Sequence, residues 1–599
     1  MFELRSTFTV VPSTARRPPA AVQERWFAPA WKTLPLAPRR CRVSNPVNGA
    51  VAELSYEQHA VLTACAGCRT LAEHAVAVGR KLGIRPDAEA TTIKWLGDFA
   101  ACGLLVPLAA LASRLGSAEA SPPAPFAGVV IRTCDRPALL ARALESAARL
   151  EARSARGCRY IVLDDSRDAG NRAANRGLVA SVGKLDCTYD DMAGASDFDR
   201  EMHAAFASAG AEVAWLLGAP SPGEATYGRP VNHALLHTAG KRFLFLDDDA
   251  LLEPRAPPVA AAGFAVSGDS DELFCFRDEA ALERACAPLD VDPVDAHLTC
   301  LGAPAGAVWA RFLAAQGSPA SVELVPGDAS RFVADARVLF TQNHAVGDPG
   351  SSLFPYHLLS LPPASLARLA GEPEAMRVAF DQRFNWRGQQ RPRLATRRAL
   401  TFTTLAGIDN SVLLPPTVRA HRNEDLLLGE MAQHVHPGGW LVDLPWGLPH
   451  RRVPPKAWLP AGAVFPQEPI HFLLDYLEVR APAMISAEPE KRMQGLASLL
   501  LDLAEASDER VGELLEEQAA DVATRVHFAI SSQLDDAALP PSWKDAIRPW
   551  LGSPTLATGG PQLRARLAAP ASVRRIAQSY GRALVVWPSL WAWSRARAG

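Results

Sequence analysis

"KRFLFLDDDALL", from Lys241 to Leu252, is an apolar run that ends in three consecutive acids, Asp247, Asp248 and Asp249. The run predicts a strand that is buried on both faces, as in a parallel sheet. One interpretation of the acids is a solvated turn. The other is a cation site, because three adjacent carboxylates repel one another unless positive charge lies nearby. Residues at i and i+2 of an extended chain point the same way, so Asp247 and Asp249 are placed to share a cation while Asp248 faces elsewhere.

Two earlier segments also consist of an apolar run followed by polar residues. They are "GVVIRTCDRP", from Gly128 to Pro137, and "RYIVLDDSRD", from Arg159 to Asp168. Helical patterns such as "PALLARALESAARL" lie between the apolar runs, and this alternation predicts an α/β fold with a mostly parallel sheet flanked by helices. Such sheets bind ligands at the carboxyl ends of their strands. We therefore expect the acids of all three segments to meet at one edge of the sheet.

A short helix is predicted before the acidic strand by "YGRPVNHALLHTAG", with Pro230 near its start and Gly240 at its end. In this order, the segments between residues 126 and 252 resemble a nucleotide-sugar-dependent glycosyltransferase of the GT-A fold. They are most similar to the large inverting family two. The resemblance implies a Rossmann-like GT-A sheet and a nucleotide-sugar donor, with a UDP-sugar favoured.

The resemblance also implies which residues bind the donor. Asp247 and Asp249 match the DxD motif, which holds Mn²⁺ or Mg²⁺ on the donor diphosphate. Hard divalent ions of this kind favour carboxylate oxygens. The positions that match nucleotide-sugar contacts, with Asp164 and Asp165 as alternatives for one of them, are Thr133, Asp135, Arg136, Asp164, Asp165, Arg229, Asn232 and Asp248.

A catalytic half is expected in "RNEDLLLGEMAQ". Members of the family carry an ED motif that opens a helix, and Glu424 and Asp425 match it here. The resemblance implies that Asp425 is the base that deprotonates the acceptor. Acids in a first helical turn also complement the helix dipole without any catalytic role, and that alternative stays open.

Histidines follow the ED motif. His450 closes "WLVDLPWGLPH" and matches the histidine that many relatives use as a further metal ligand. His434 and His436 form an HxH that could ligate a metal, but we expect two solvated histidines at a helix end instead. The distance along the chain from Asp249 to the ED motif is longer than a simple family member needs, so residues 253–398 are interpreted as an insertion or an elaborated acceptor region.

The stretch "GSAEASPPAP", residues 116–125, predicts a linker because it is rich in small residues and prolines. The preceding residues 1–115 resemble a PqqD-like peptide-recognition domain, a small winged-helix unit, which implies binding of a peptide as an added strand. Thr70 and Glu73 predict a capping box there. A purely structural cap is the alternative. Cys65 and Cys68 lack a second pair at zinc-site spacing and are expected to be buried or free thiols.

The glycosyltransferase domain is predicted over residues 126–460, and a helical region over 461–599. The final segment, "SVRRIAQSYGRALVVWPSLWAWSRARAG", combines arginines with Trp587, Trp591 and Trp593. We expect a docked terminal helix, with contact at a membrane interface as the less favoured alternative.

Composition sets the broad class. The 599 residues carry a net charge of −2, with 48% hydrophobic and 21% charged residues, which is ordinary for soluble globular proteins. There is no basic excess, so no nucleic-acid partner is expected. Ten scattered cysteines, no apolar leader and no uncharged apolar run of spanning length predict a cytoplasmic protein.

These features together predict a metal-dependent glycosyltransferase that moves a sugar, with inversion, onto the hydroxyl or thiol of an acceptor, a ribosomally made peptide being one candidate. A nucleotidyltransferase of a related fold is an alternative, but it predicts a glycine-rich first loop, and "RTCDRP" contains no glycine. A non-catalytic peptide-binding scaffold is a second alternative, and it predicts no metal-dependent nucleotide binding.

Overall fold

The structure is a computed structural model. It describes residues 24–598, apart from 85–88, 117–121, 184, 194–195, 222–223, 269–270, 348–354, 375, 377–383, 397–399, 403, 452–465 and 482–485. Half of the predicted linker and the first 23 residues of the predicted recognition module lie outside the described residues.

In the described residues before 117, two small antiparallel sheets and four helices form the N-terminal part of the chain. The strands are β1 (Trp26–Phe27), β2 (Lys32–Ala37), β3 (Arg40–Ser44), β4 (Val51–Ser55), β5 (Cys68–Arg69) and β6 (Val106–Pro107), in the orders β5-β1-β6 and β2-β3-β4. The helices are Tyr56–Ala64, Leu71–Leu82, Glu89–Ala101 and Leu108–Ser113. This part has its own core around Trp95 and Phe99.

Two local predictions for the N-terminal part are confirmed. Thr70 caps the helix Leu71–Leu82 in a capping box with Glu73, which satisfies backbone N–H groups that a helix start leaves unpaired. Cys65 and Cys68 are buried thiols, and burial raises the pKa of each to about 12. Both therefore stay protonated at neutral pH.

One sheet of twelve strands dominates the rest of the described chain. Its strands are β7 (Phe126–Thr133), β8 (Tyr160–Asp164), β9 (Cys187–Asp191), β10 (Arg242–Asp247), β11 (Ala265–Val266), β12 (Glu272–Cys275), β13 (Ser321–Val322), β14 (Arg337–Gly347), β15 (Asn385–Gly388), β16 (Arg393–Ala395), β17 (Leu405–Asp409) and β18 (Gly439–His450). They lie in the order β13-β11-β16-β18-β14-β17-β10-β7-β8-β9, and β15 pairs with β12 and β14 beside this path.

The α/β class is confirmed, whereas the sheet is mixed rather than mostly parallel. Strands β10, β7, β8 and β9 are parallel neighbours, as the alternation of strands and helices predicts. Strand β17 then runs antiparallel to both β10 and β14, and β16 runs antiparallel to β18. The clear alternation in the sequence ends near residue 252, so it carried no information about the direction of these later strands.

The segment 253–398 extends this sheet. Strands β11 to β16 lie within it, and β14 pairs with both β17 and β18 on either side. The segment is therefore continuous with the core that carries the acidic strand end, and its strands include one edge of the sheet.

Helices cover the sheet and make up the described residues after 465. Those between the strands are Pro137–Ser154, Ala169–Ser181, Asp197–Ala205, Gly210–Leu217, Arg229–His237, Glu279–Ala285, Pro293–Leu298, Ala305–Gln316, Pro363–Gly371 and Glu424–Val435. The later ones are Pro469–Arg480, Pro489–Glu505, Asp508–Asp535, Pro541–Ile547, Gly560–Arg564 and Pro570–Ala598. No helix in the described part of the chain has the length and apolar character needed to cross a membrane.

The C-terminal helix Pro570–Ala598 packs into the largest apolar core, together with residues of the sheet. The ring N–H groups of two tryptophans of this helix donate hydrogen bonds to the segment that follows β17. The Trp587 Nε1 atom donates to the carbonyl of Leu414 at 2.7 Å, and the Trp591 Nε1 atom donates to Asn410 Oδ1 at 3.0 Å. The tryptophan side chains therefore fix the helix by both apolar burial and hydrogen bonds.

Trp587→Ala is expected to lower the free energy of unfolding by about 3–5 kcal/mol, because it empties a fully buried site and removes the donor to Leu414. Chemical denaturation followed by circular dichroism measures the change. Phe528→Ala is the control, since Phe528 is 76% exposed and should cost less than about 0.5 kcal/mol. Equal losses for the two variants would contradict the docked arrangement.

Candidate metal centre

The end of β10 and the end of β18 meet at one buried point. One ligand atom from each of Asp247, Asp249 and His450 lies within 4.8 Å of the other two, and all three residues are buried. The His450 Nε2 atom lies 3.0 Å from Asp249 Oδ1. The three residues that the sequence predicts as metal ligands are thus brought together, although His450 is far from the acids along the chain.

Backbone pairing holds His450 beside the acids. Leu251 N–H donates to the Pro449 carbonyl at 3.0 Å, and Arg451 N–H donates to the Asp249 carbonyl at 3.0 Å. Strand β14 supports β18 from its other side, where Gly347 has a φ of +118° and an added Cβ would lie 2.7 Å from the His450 carbonyl oxygen. Only glycine fits that close approach.

Two arginines neutralise the acids from the strand end of β7. Arg132 is paired with both Asp247 and Glu424, at 2.6 Å from Glu424 Oε1. Arg136 lies 2.8 Å from Asp248 Oδ1 and 3.2 Å from Asp249 Oδ2. The pairs explain how three consecutive acids are tolerated out of water.

Asp248 is not one of the three clustered ligands, although Arg136 pairs with both Asp248 and Asp249 in the turn after β10. Thr133 donates its hydroxyl to Asp248 Oδ2 at 2.7 Å. Burial raises the pKa of Asp248 to about 7, although Arg136 beside it acts in the opposite direction. This carboxyl is therefore near the midpoint of its titration at neutral pH.

The charge of the cluster suits a divalent cation. Four carboxyl groups, from Asp247, Asp248, Asp249 and Glu424, face only two guanidinium groups, from Arg132 and Arg136. Two carboxylates and one imidazole form a donor set that Mn²⁺ accepts readily. Among the residues that the structure describes, these ligands form the single group with metal-binding proximity.

The ED pair opens the helix Glu424–Val435, and its two acids have different surroundings. Glu424 reaches the metal cluster through Arg132. Asp425 instead accepts backbone N–H groups, from Phe402 at 3.1 Å and from Leu426 at 2.8 Å. Burial, and then the charge of Glu424, raise the pKa of Asp425 to about 7.

Asp135 and Asp164 are occupied by the loops around them. Asp135 accepts the backbone N–H groups of Arg167 and Asp168 at 3.1 and 3.0 Å, and these donors lower its pKa although partial burial opposes them. Asp164 accepts from Ser166 N at 2.9 Å and from the Tyr189 hydroxyl at 2.8 Å. Both carboxylates therefore hold the loop that follows β8 in place.

Asp165, Arg229 and Asn232 anchor the helix Arg229–His237. Asp165 and Arg229 form a buried ion pair, and burial raises the pKa of Asp165. Asn232 bonds both the N–H and the carbonyl of Thr417, each at 2.9 Å. The structure thus places these predicted donor-binding residues in a buried framework around the helix Arg229–His237.

The HxH pair lies elsewhere. His434 and His436 are partly buried rather than solvated, and neither belongs to the metal cluster. The His436 Nε2 atom lies 2.8 Å from the Leu413 carbonyl, and burial lowers the pKa of this ring. The expectation of two solvated histidines is therefore wrong, because the segment after β17 covers this helix end.

Arg132 is the member of the cluster that sequence reasoning missed. Its signal was present, since a charged residue interrupts the apolar strand "GVVIRT" one position before Thr133. A buried arginine needs acidic partners. Its partners, however, lie 115 and 292 positions away in the chain, so their identity could not be read locally.

Comparisons with known proteins give no family for this arrangement: no family model, curated protein or solved structure matches the chain.

Asp249→Asn and His450→Ala are each expected to weaken Mn²⁺ binding by at least about tenfold, because each removes a ligand and even outer-shell changes cost about 10–100-fold. Isothermal titration calorimetry of the full chain measures the affinity. His203→Ala is the matched control, since His203 is exposed on the helix Asp197–Ala205. Unchanged affinity in both ligand variants would contradict the site.

Proposed function

We propose that this protein is a metal-dependent glycosyltransferase of the GT-A type, similar to the inverting family two. The observation that carries the proposal is the convergence of Asp247, Asp249 and His450, which come from a DxD motif and from a strand end far along the chain. The strand order β9-β8-β7-β10, all parallel, supports it as well, because nucleotides bind at the carboxyl ends of strands in this kind of sheet.

The donor is a nucleotide-sugar in this proposal, with a UDP-sugar favoured. Asp247, Asp249 and His450 would hold Mn²⁺ or Mg²⁺, and the bound ion would offset negative charge on the diphosphate leaving group. Arg136, whose side chain is 37% exposed, is the guanidinium at this edge that can also face a phosphate. Asp248 pairs with that arginine and in turn accepts a hydrogen bond from the Thr133 hydroxyl.

The acceptor half is the start of the helix Glu424–Val435. Asp425 acts as the base that takes the proton from the acceptor hydroxyl or thiol. Its pKa of about 7 fits this role, since a base is most effective when its pKa lies near the working pH. The N–H groups of Phe402 and Leu426 fix the direction of its carboxylate.

A peptide is the acceptor class that the N-terminal part supports. A groove of about 1000 Å³ lies between that part and the large sheet. Strand β5 on one side and strand β13 on the other are both sheet edges, and residues of both line the groove. Edge strands offer unpaired backbone groups to an extended peptide. Exposed Val76 adds apolar surface to this groove.

Asp425→Asn is expected to reduce the turnover number of sugar transfer by about 10²–10⁴-fold, the usual contribution of a positioned base. Donor binding should persist, because the change lies outside the metal ligands. The measurement is Mn²⁺-dependent release of UDP from a panel of UDP-sugars, with thermal shift for binding. Release of pyrophosphate instead of UDP would favour a nucleotidyltransferase, and no metal-dependent nucleotide binding would favour the scaffold.

The activity of the native chain is expected to fall as the pH drops through about 7. The raised pKa of Asp425 keeps its carboxyl protonated below that value, and a protonated carboxyl accepts no proton from the acceptor. A profile of turnover number against pH from 5 to 9 tests this. In Asp425→Asn, the residual turnover number should no longer fall as the pH drops through about 7. If the fall persists in this variant, a group other than Asp425 is responsible for the titration.

A further inference from the structure

Arg132 pairs with two acids of the candidate metal centre that come from different elements, whereas Arg136 pairs with the adjacent Asp248 and Asp249. The Nε and Nη2 atoms of Arg132 face the two oxygens of Asp247, the latter at 3.3 Å from Oδ2. Its Nη1 atom donates to Glu424 Oε1 at 2.6 Å. One guanidinium thus joins a metal ligand on β10 to the acid that opens the helix Glu424–Val435.

An arginine of this fold that is held mainly by backbone atoms looks different. Arg229 directs Nε to the Leu217 carbonyl at 2.7 Å and Nη2 to the Met192 carbonyl, so backbone atoms take most of its donors. Arg132 has only a long contact of 3.4 Å to a backbone carbonyl, that of Tyr227. Its hold on the site therefore depends on the two carboxylates.

The surroundings of Arg132 keep its charge in the site. The side chain is 16% exposed, and its guanidinium lies 5.5 Å from the Phe245 ring centre and 5.8 Å from that of Phe402. Aromatic faces stabilise a cation without taking its hydrogen bonds. The guanidinium can accordingly lose one carboxylate partner and remain beside the rings.

A divalent ion and Arg132 cannot both have full use of Asp247. Both oxygens of that carboxylate face the guanidinium, and an ion bound to Asp247 and Asp249 would place two more positive charges next to it. Repulsion between the two cations, together with competition for the oxygens, opposes their joint occupancy.

We propose that Arg132 is a resident counter-cation that competes with the divalent ion for Asp247 and, when the ion binds, shifts its hydrogen bonding toward Glu424. This inference rests on the proposed function only in its assumption of the metal site. Because coupling between sites is reciprocal, Glu424 also sets how strongly Arg132 competes with the ion. Arg132 is thus a positioning residue that links metal binding to the start of the base-bearing helix.

The test is Mn²⁺ binding to the full chain, measured by electron paramagnetic resonance of free Mn²⁺ without any sugar donor. Arg132→Gln should tighten binding by about five- to tenfold, because the competing cation is gone. Arg132→Lys keeps the charge but loses the fork that holds two carboxylates, and it should tighten binding by about threefold. Arg149→Gln removes an equal charge from the exposed pair with Glu253, outside the cluster, and should leave binding unchanged.

A double-mutant cycle tests the link to Glu424. Glu424→Gln should weaken Mn²⁺ binding more in the native background than in Arg132→Gln, by about threefold, because only the native background has an arginine to release onto Asp247. Unfolding curves show whether each variant is folded. The combined variant Arg132→Gln with Glu424→Gln replaces the ion pair by neutral groups of similar size. It leaves neither charge of this pair without its partner, so it should fold and complete the cycle.

Different outcomes separate the two proposals. Mn²⁺ affinity that is unchanged or weaker in folded Arg132→Lys and Arg132→Gln would overturn the proposed competition while leaving the metal centre intact. Additive effects of Arg132→Gln and Glu424→Gln in the double-mutant cycle would do the same. An absence of Mn²⁺ binding to the native chain would overturn both. Tighter binding in Arg132→Gln but native binding in Arg132→Lys would show only a long-range charge effect, and this too would overturn the competition.

Discussion

Carboxylates buried at one edge of a sheet are the constraint on which the rest of this structure depends. Asp248 and Asp249 are almost wholly removed from water, and Asp247 and Glu424 are little more exposed. An uncompensated buried charge is costly, so positive charge must reach these groups from elsewhere in the fold. Arg132 and Arg136, at the end of β7, supply it, and the pairing of Arg132 with Asp247 across the parallel strands β7 and β10 is what makes that possible.

The C-terminal helix helps to meet the same constraint, because it holds the segment that leads to Glu424. The segment between β17 and the helix Glu424–Val435 must deliver Glu424 to Arg132, and it has no strand of its own to hold it. Tyr580, Trp587 and Trp591 of the C-terminal helix bond the segment at Pro416, Leu414 and Asn410. Thr417 then donates its hydroxyl to the Glu424 carbonyl at 2.8 Å. Residues more than 140 positions downstream thus fix the start of the helix that carries the ED pair, and their packing belongs to the site as much as to the core.

The sequence predicted the parts of this site that rest on local rules. Period-two alternation predicted Asp247 and Asp249, rather than Asp248, as the pair that shares a cation, and these two are the acids that lie beside His450. The alternation of strands and helices predicted the parallel half of the sheet. His450 was reached through resemblance rather than geometry. What the sequence did not supply were the contacts between distant segments. Asp135 and Asp164 look available in the sequence, yet loop N–H groups and a tyrosine hydroxyl occupy them. Arg132 was passed over because its two acids come from other elements, and the antiparallel strands were missed because the segment 253–398 has no simple pattern.

The acids of this sheet edge fall into two groups, and the difference bears on function. Asp135 and Asp164 accept hydrogen bonds largely from neutral donors, so these carboxylates do not depend on a nearby cation. Asp247, Asp248 and Asp249 are satisfied largely by guanidinium groups on long side chains, one of which is partly exposed. A bound cation can replace a guanidinium as the counter-charge of a carboxylate, whereas backbone N–H groups carry no charge for it to replace. The acids paired with arginines are therefore the ones suited to exchange partners, and two of them, Asp247 and Asp249, are the ones that His450 joins.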